Sequence, residues 1–249
     1  MSSRADRAPL FEVFSSIQGE ATHVGERHLF VRLAGCDLDC GYCDTPASRR
    51  IPARARVFFP DGVREIDNPV ARDELDELLV ALDEAAGPHH LVAITGGEPL
   101  LFTDYLAPLF RRWRGRGWRT LLETGGHRPD DLAAVVGLVD VVMADVKVRS
   151  AAGLSTPDDV NRRFLRLAAR VECAVKAVVA AATTADEVER VARMVADEAP
   201  DAPLILQPVS GSRFGPPSGD HLLSLQRAAM RVHRDTRVIP QTHRSLHLR

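Results

Sequence analysis

Cys36, Cys40 and Cys43 form a C-x3-C-x2-C run within Gly35–Asp44. Three thiolates on one short loop can hold three irons of a four-iron cluster and leave the fourth iron open to a small molecule. A cluster that only carries electrons usually has four protein ligands. Other readings of the run remain. A structural zinc site wants four ligands, usually as two separated pairs. The only other cysteine is Cys173, far along the chain in an apolar run, where a small buried hydrophobe is the expected role. His23 and His28 could supply a fourth ligand, but their spacing matches no zinc pattern. A disulfide framework does not suit 249 residues with four cysteines and no secretory signal.

Further polar signals follow apolar runs. Thr95-Gly96-Gly97-Glu98-Pro99 follows one, and Glu123-Thr124-Gly125-Gly126 another. Asp145-Val146-Lys147 and Gln207-Pro208 end two more. The chain has only two lysines, Lys147 and Lys176, among 32 basic residues. Arginine does not replace lysine where a compact ammonium is needed. Asp145 and Lys147 are two apart on an extended run, so their side chains share a face.

The elements that must position these residues alternate. Strands are expected at Leu29–Leu33, Leu91–Thr95, Thr120–Glu123, Val139–Asp145, Ala174–Val179 and Leu204–Gln207, rich in Val, Ile and Leu and bounded by Gly, Asp or Pro. Helices are expected at Arg72–Ala86, Asp104–Arg114, Pro129–Val136, Asp158–Ala169, Ala185–Ala199 and Gly219–Arg234. Thr184 followed by Asp186 and Glu187 marks one helix start. Six strand–helix units in series imply a parallel sheet with helices outside, and right-handed crossovers curl it one way. The expected fold is α/β, a partial (β/α)6 barrel formed by one domain over 1–249, with a doubly wound open sheet as the alternative. Either places chemistry at the C-terminal strand ends, where the polar signals fall. The stretch 51–69 reads as an inserted loop or small hairpin.

Composition narrows the function classes. A net charge of −2 gives no support for nucleic-acid or membrane-surface binding. No apolar run approaches the roughly 20 residues of a membrane span, and Met1–Asp6 lacks an apolar signal core. The expectation is the reducing cytoplasm.

The cysteine spacing with Gly96-Gly97-Glu98-Pro99 resembles the radical S-adenosylmethionine (SAM) superfamily. Ser16-Ile17-Gln18-Gly19-Glu20, Arg32, Cys43-Asp44-Thr45 and Gln241-Thr242-His243 narrow the resemblance to the 7-carboxy-7-deazaguanine synthase family. That family contracts the ring of 6-carboxy-5,6,7,8-tetrahydropterin and releases ammonia. The resemblance implies a [4Fe-4S] cluster on Cys36, Cys40 and Cys43, with SAM and Mg2+. It implies Thr45 as the Mg2+ ligand and Gly96, Gly97, Glu98, Thr124, Lys147 and Gln207 around SAM. Gln18, Gly19, Glu20, Thr95, His243 and the terminal carboxylate of Arg249 would line the pterin pocket, and Arg32 would clamp the substrate carboxylate. It further implies an external reductant such as flavodoxin or ferredoxin, a homodimer, and SAM reuse after hydrogen returns to deoxyadenosine. The residue chemistry fits: a guanidinium pairs bidentately with a carboxylate, and Mg2+ prefers oxygen ligands and keeps non-protein ones. Two features depart from the family pattern. Ala21 stands where glycine commonly follows Gln-Gly-Glu, and the 51–69 insertion is long. The rival enzyme reading is a radical SAM activase for a glycyl-radical protein. The non-enzymatic alternatives are an iron–sulfur electron carrier or a zinc adaptor.

Overall fold

The computed structural model describes residues 6–211 and 214–248. Its strands are β1 (Arg7–Ala8), β2 (Leu10–Ile17), β3 (Arg27–Leu33), β4 (Arg54–Phe59), β5 (Gly62–Asp67), β6 (Val70–Ala71), β7 (Leu91–Gly96), β8 (Thr120–Thr124), β9 (Val141–Asp145), β10 (Glu172–Val179), β11 (Leu204–Pro208) and β12 (Thr236–Val238). The helices are α1 (Arg72–Ala86), α2 (Thr103–Gly115), α3 (Pro129–Val135), α4 (Arg149–Ala152), α5 (Asp158–Ala168), α6 (Ala185–Glu198), α7 (Gly219–Met230) and α8 (Thr242–Ser245). All six expected strands and all six expected helices form, with end shifts of a few residues.

Ten strands build one sheet in the order β12-β11-β10-β9-β8-β7-β3-β2-β4-β5. From β3 to β12 every neighbouring pair is parallel and the strands follow chain order. A doubly wound sheet reverses its order at a switch point; this one does not, which excludes that alternative. The parallel run has seven strands rather than six, because the short β12 adds to the edge. On the other side β2 pairs antiparallel with β3, and the hairpin β4–β5 is attached through β2. The 51–69 insertion is therefore a hairpin that extends the sheet.

The sheet curls. β2 and β10 lie five strands apart, about 24 Å in a flat sheet at the usual strand spacing. Yet Lys176 on β10 forms an ion pair with Glu20, just beyond β2. One apolar cluster lies on the concave side and includes Phe14, Phe30, Leu121, Met143 and Ile205, with Phe14 and Phe30 stacked at 4.9 Å. A larger cluster fills the space between the convex side and the helices. Leu75, Leu79 and Leu82 of α1 point into it, as their helical spacing requires. Thr184 caps α6 with a reciprocal capping box through Glu187, the local signal read from the sequence. The alternation of β3 sends Leu29, Val31 and Leu33 outward and leaves His28, Phe30 and Arg32 facing inward. No helix among the described residues is long and apolar enough to cross a membrane.

Candidate active site

The C-terminal ends of the parallel strands surround a cleft of about 190 Å³. Its walls hold Cys36, Cys40 and Cys43 together with Gln18, Gly19, Glu20, Arg32, Thr45, Thr95, Gly96, Gly97, Glu98, Thr124, Lys147, Gln207 and His243. The fold thus gathers every site residue proposed from sequence except Arg249, which lies outside the described residues. Register explains part of this. Arg32 lies beside Thr95 across β3 and β7, and Lys176 beside Asp145 across β10 and β9.

The cysteine loop is held on two sides. The Arg49 guanidinium reaches the Asp39 carboxylate and the Cys40 carbonyl. His127 and Arg128 both donate to Asp37, at 2.9 and 2.8 Å. All three thiols are free and partly exposed. Burial raises the Cys36 and Cys40 thiols, and for Cys40 the Lys147 ammonium opposes that rise. Iron coordination deprotonates such thiols outright. Three free thiols on one loop, opening into a shared cleft, fit a cluster with one open iron. Cys173 packs against the core from β10, and burial pushes its thiol up to about 12; it takes no part.

Gly96 and Gly97 have a packing reason. A β-carbon on Gly96 would collide with the Leu33 backbone, and one on Gly97 with the Gly35 carbonyl. Only glycine lets the end of β7 lie against the start of the cysteine loop, and Gly96 also adopts φ +138°. The backbone then pairs directly, Gly97 N–H to the Leu33 carbonyl and Glu98 N–H to the Gly35 carbonyl at 2.9 Å. Glu98 is buried and accepts from Leu100 N–H, the Thr124 hydroxyl and Gly125 N–H at 2.8–3.0 Å. A carboxylate offers about four acceptor positions, so Glu98 and Thr124 mainly brace this corner.

Glu20 is the centre of the opposite wall. It accepts from Lys176 and, at 2.7 Å, from Gln241. Burial would raise its carboxyl, but the Lys176 ammonium and the Gln241 amide outweigh that and hold it low. Glu123, which accepts from Gln18 at 2.7 Å, goes the other way: burial and the neighbouring Glu20 charge raise it. Two nearby carboxyls with opposed shifts differ in readiness to hold a proton. Ala21 has φ +52° in a buried turn, where glycine would be unstrained, so the departure from Gly leaves the Glu20 turn in place.

Arg32 is aimed by Glu12, whose carboxylate accepts from Nε at 3.1 Å, and it lies over the Phe14 ring. Its Nη1 faces the Thr45 hydroxyl at 3.4 Å, and Thr45 donates to Asp44 at 2.8 Å. Lys147 pairs with Asp145 at 3.0 Å, and Asp145 accepts from the Tyr42 hydroxyl within the cysteine loop at 3.1 Å. Asp145 also keeps the Lys147 ammonium charged although burial opposes it. Gln207 Oε1 is buried in the cleft wall and has no partner among the described groups, an acceptor waiting for a donor.

Sequence reasoning missed Lys176, Glu12 and Tyr42. Lys176 had a signal, being one of two lysines. Glu12 had none, because β2 was not expected. The sequence offered Glu123 as a weaker candidate for a ribose or adenine contact, and it accepts from Gln18; it offered Asp145 as an ion-pair partner of Lys147, and the two pair.

A curled sheet of consecutive parallel strands, with a three-cysteine loop after the first of them and a glycine turn after the second, defines a radical SAM protein. Residues 31–182 match the Radical SAM superfamily. Within it, the chain belongs to the 7-carboxy-7-deazaguanine synthase family. It is 39% identical to the 7-carboxy-7-deazaguanine synthase of Geobacter sulfurreducens, over 95% of this chain and 96% of that protein. It is 35% identical to that of Methanothermobacter thermautotrophicus, over 98% of each. The crystal structure of QueE from Escherichia coli superimposes with a TM-score of 0.60 at 20% identity, covering 94% of each chain. Streptococcus suis SuiB bound to its precursor peptide SuiA gives the same TM-score at 12% identity, over 93% of this chain and 49% of that one. At these identities the two structures show the fold. Membership in the superfamily implies a four-iron cluster and SAM, and membership in the synthase family an enzyme acting on a small molecule.

Proposed function

We propose that this chain converts 6-carboxy-5,6,7,8-tetrahydropterin to 7-carboxy-7-deazaguanine with release of ammonia, using Mg2+ besides the cluster and SAM. The observation that carries this reading is the convergence of Arg32, Thr45, Glu20 and His243 on the cleft that holds the three cysteines. When bound, the cluster and SAM supply one-electron chemistry that removes hydrogen from the pterin; the protein contributes position and exclusion.

Arg32 takes the substrate carboxylate, with Glu12 fixing the plane of the guanidinium. Glu20 accepts from the amide and amino edge of the pterin, its charge held by Lys176. Gln18 orients Glu123 beside it, and Thr95 lies on the same wall. Thr45 gives its oxygen to Mg2+, and Asp44, already bonded to that hydroxyl, orients it. His243 closes the pocket over Gly19, where a β-carbon would collide with the imidazole.

On the SAM side, the backbone of Gly96 and Gly97 approaches the amino group, with Glu98 behind it. Lys147 meets the carboxylate, and Gln207 Oε1 accepts from the adenine or ribose. Thr124 holds Glu98 in place.

We place the enzyme in the cytoplasm as a homodimer, reduced by a flavodoxin or ferredoxin. The exposed Ile51 and Val63 of the insertion support a contact surface there. The test is anaerobic turnover of reconstituted protein with dithionite, SAM, Mg2+ and the tetrahydropterin, followed by mass spectrometry. Formation of 7-carboxy-7-deazaguanine is expected. SAM cleavage with surviving pterin would reject the substrate and favour the glycyl-radical activase.

A further inference from the structure

The far end of the barrel carries a second group of ligand-type side chains. His23 is buried in the turn after β2, His28 is buried near the start of β3, and Glu26 lies between them, part-exposed. Glu26 Oε2 is 2.9 Å from His23 Nδ1 and 3.1 Å from His28 Nε2. One ligand atom from each residue lies within 4.8 Å of the other two. A tetrahedral zinc with bonds near 2.0–2.1 Å sets its ligand atoms about 3.3 Å apart, close to the two separations that Glu26 makes with the imidazoles.

The second ring nitrogen of His23 adds an independent feature. His23 Nε2 faces Glu172 Oε1 at 3.1 Å, and Arg119 holds the other Glu172 oxygen at 2.9 Å. A neutral imidazole has one N–H and can serve only one of two carboxylates. The other contact needs a second proton, or a cation in place of Glu26's shared proton. A histidine bonded to a metal through one nitrogen and to a carboxylate through the other is the usual outer-shell arrangement.

We propose that His23 Nδ1, Glu26 and His28 Nε2 bind one divalent zinc ion, with Glu172 as the outer partner of His23. Two imidazoles and a carboxylate suit zinc over Mg2+ or Ca2+, which prefer all-oxygen sites. The part-exposed Glu26 gives the ion its entry path and leaves a fourth position for water. The ion would fasten the β2–β3 connection to the start of β10 across the barrel, at the end opposite the cluster.

The test uses cluster-loaded protein, stripped of loose metal with chelator and dialysed anaerobically against Zn2+, with zinc and iron counted per chain. Wild type is expected to retain one zinc per chain. Glu26→Gln and His28→Gln are expected to retain none while keeping the same iron. Glu26→Gln is close to isosteric at a part-exposed position, so the comparison survives if His28→Gln misfolds. X-ray absorption at the zinc edge is expected to show nitrogen and oxygen near 2.0–2.1 Å and no sulfur. Zinc bound through sulfur, equal zinc in wild type and both variants, or no zinc in wild type would each overturn the site.

Discussion

Gln241 donates to Glu20 at 2.7 Å across 221 residues of sequence. The same amide nitrogen lies 3.0 Å from Asp44, beside the last cysteine. One buried side chain from the C-terminal segment thereby joins the Gln18-Gly19-Glu20 turn to the Cys43-Asp44-Thr45 turn. The backbone reinforces it, with Thr242 N–H donating to the Gly19 carbonyl at 2.9 Å. The proposed pterin and Mg2+ walls are therefore set relative to each other by the tail.

Gln241→Leu removes this bridge at nearly constant volume. Hydrogen bonds to charged groups contribute about 1.5–3 kcal/mol, so KM for the pterin should rise roughly 10–100-fold. Iron content and cleavage of SAM without substrate should match wild type. A variant that loses cluster and SAM cleavage in parallel with pterin turnover would assign the tail to folding of the cysteine loop instead.

Lys176→Met should move the pH dependence of pterin binding upward. In the wild type Glu20 is held below its ordinary 4.5 by Lys176 and Gln241 against burial. Its contribution is then present above about that value and is lost only as pH falls through the lower, folded value. Without Lys176, burial is opposed mainly by the Gln241 hydrogen bond, and the Glu20 pKa moves up. Pterin affinity should then improve as pH rises through the shifted Glu20 value, and the KM profile should slope at higher pH than in wild type. Leaving a largely buried carboxylate unpaired should also cost about 3 kcal/mol of stability, read as a lower Tm that recovers partly at acidic pH.

Most of the barrel and most of the site were legible in the sequence, for a shared reason. The parallel strands β3 and β7 to β11 are apolar runs ended by polar residues, because a buried strand must be apolar and its C-terminal end opens into the cleft. Cys36, Gly97, Asp145 and Gln207 stand at those breaks. β2 was missed because Phe11-Glu12-Val13-Phe14-Ser15-Ser16 does not alternate. Its Glu12 is buried and pairs with Arg32 and Arg56, which come from other strands. β12 was missed because three residues carry no period. Lys176 lies mid-strand in Ala174–Val179, and its pairing with Glu20 depends on curvature that brings β10 across the barrel. Local sequence does not encode that closure.

Gly97→Ala should lower both stability and iron content. The added methyl meets the Gly35 carbonyl, which is fixed by its bond to Glu98 N–H. Either the β7 end or the cysteine loop must move, at about 1–3 kcal/mol for overpacking. Gly137→Ala has open space around its β-carbon and serves as the matched control. Iron per chain after reconstitution, together with Tm, measures both effects. Equal values in the two variants would remove the packing role assigned to Gly97.

Arg32 and Glu12 allow a sharper division between binding and aiming. Arg32→Ala deletes the proposed carboxylate clamp and should raise pterin KM roughly 10–100-fold, the range for a lost charge-assisted contact, with cluster assembly intact. Arg32→Lys should restore little, because an ammonium cannot reproduce the planar fork. Glu12→Gln keeps Arg32 and the shape of the buried side chain but loosens the guanidinium at Nε. It should raise KM by a smaller factor, on the order of 3–10-fold for about one weakened hydrogen bond. In an Arg32→Ala background Glu12→Gln should add nothing, because the group it aims is gone. Independent, multiplying effects of the two substitutions would show that Glu12 acts on the site by another route, through Arg56 and the inserted hairpin, which share its second oxygen.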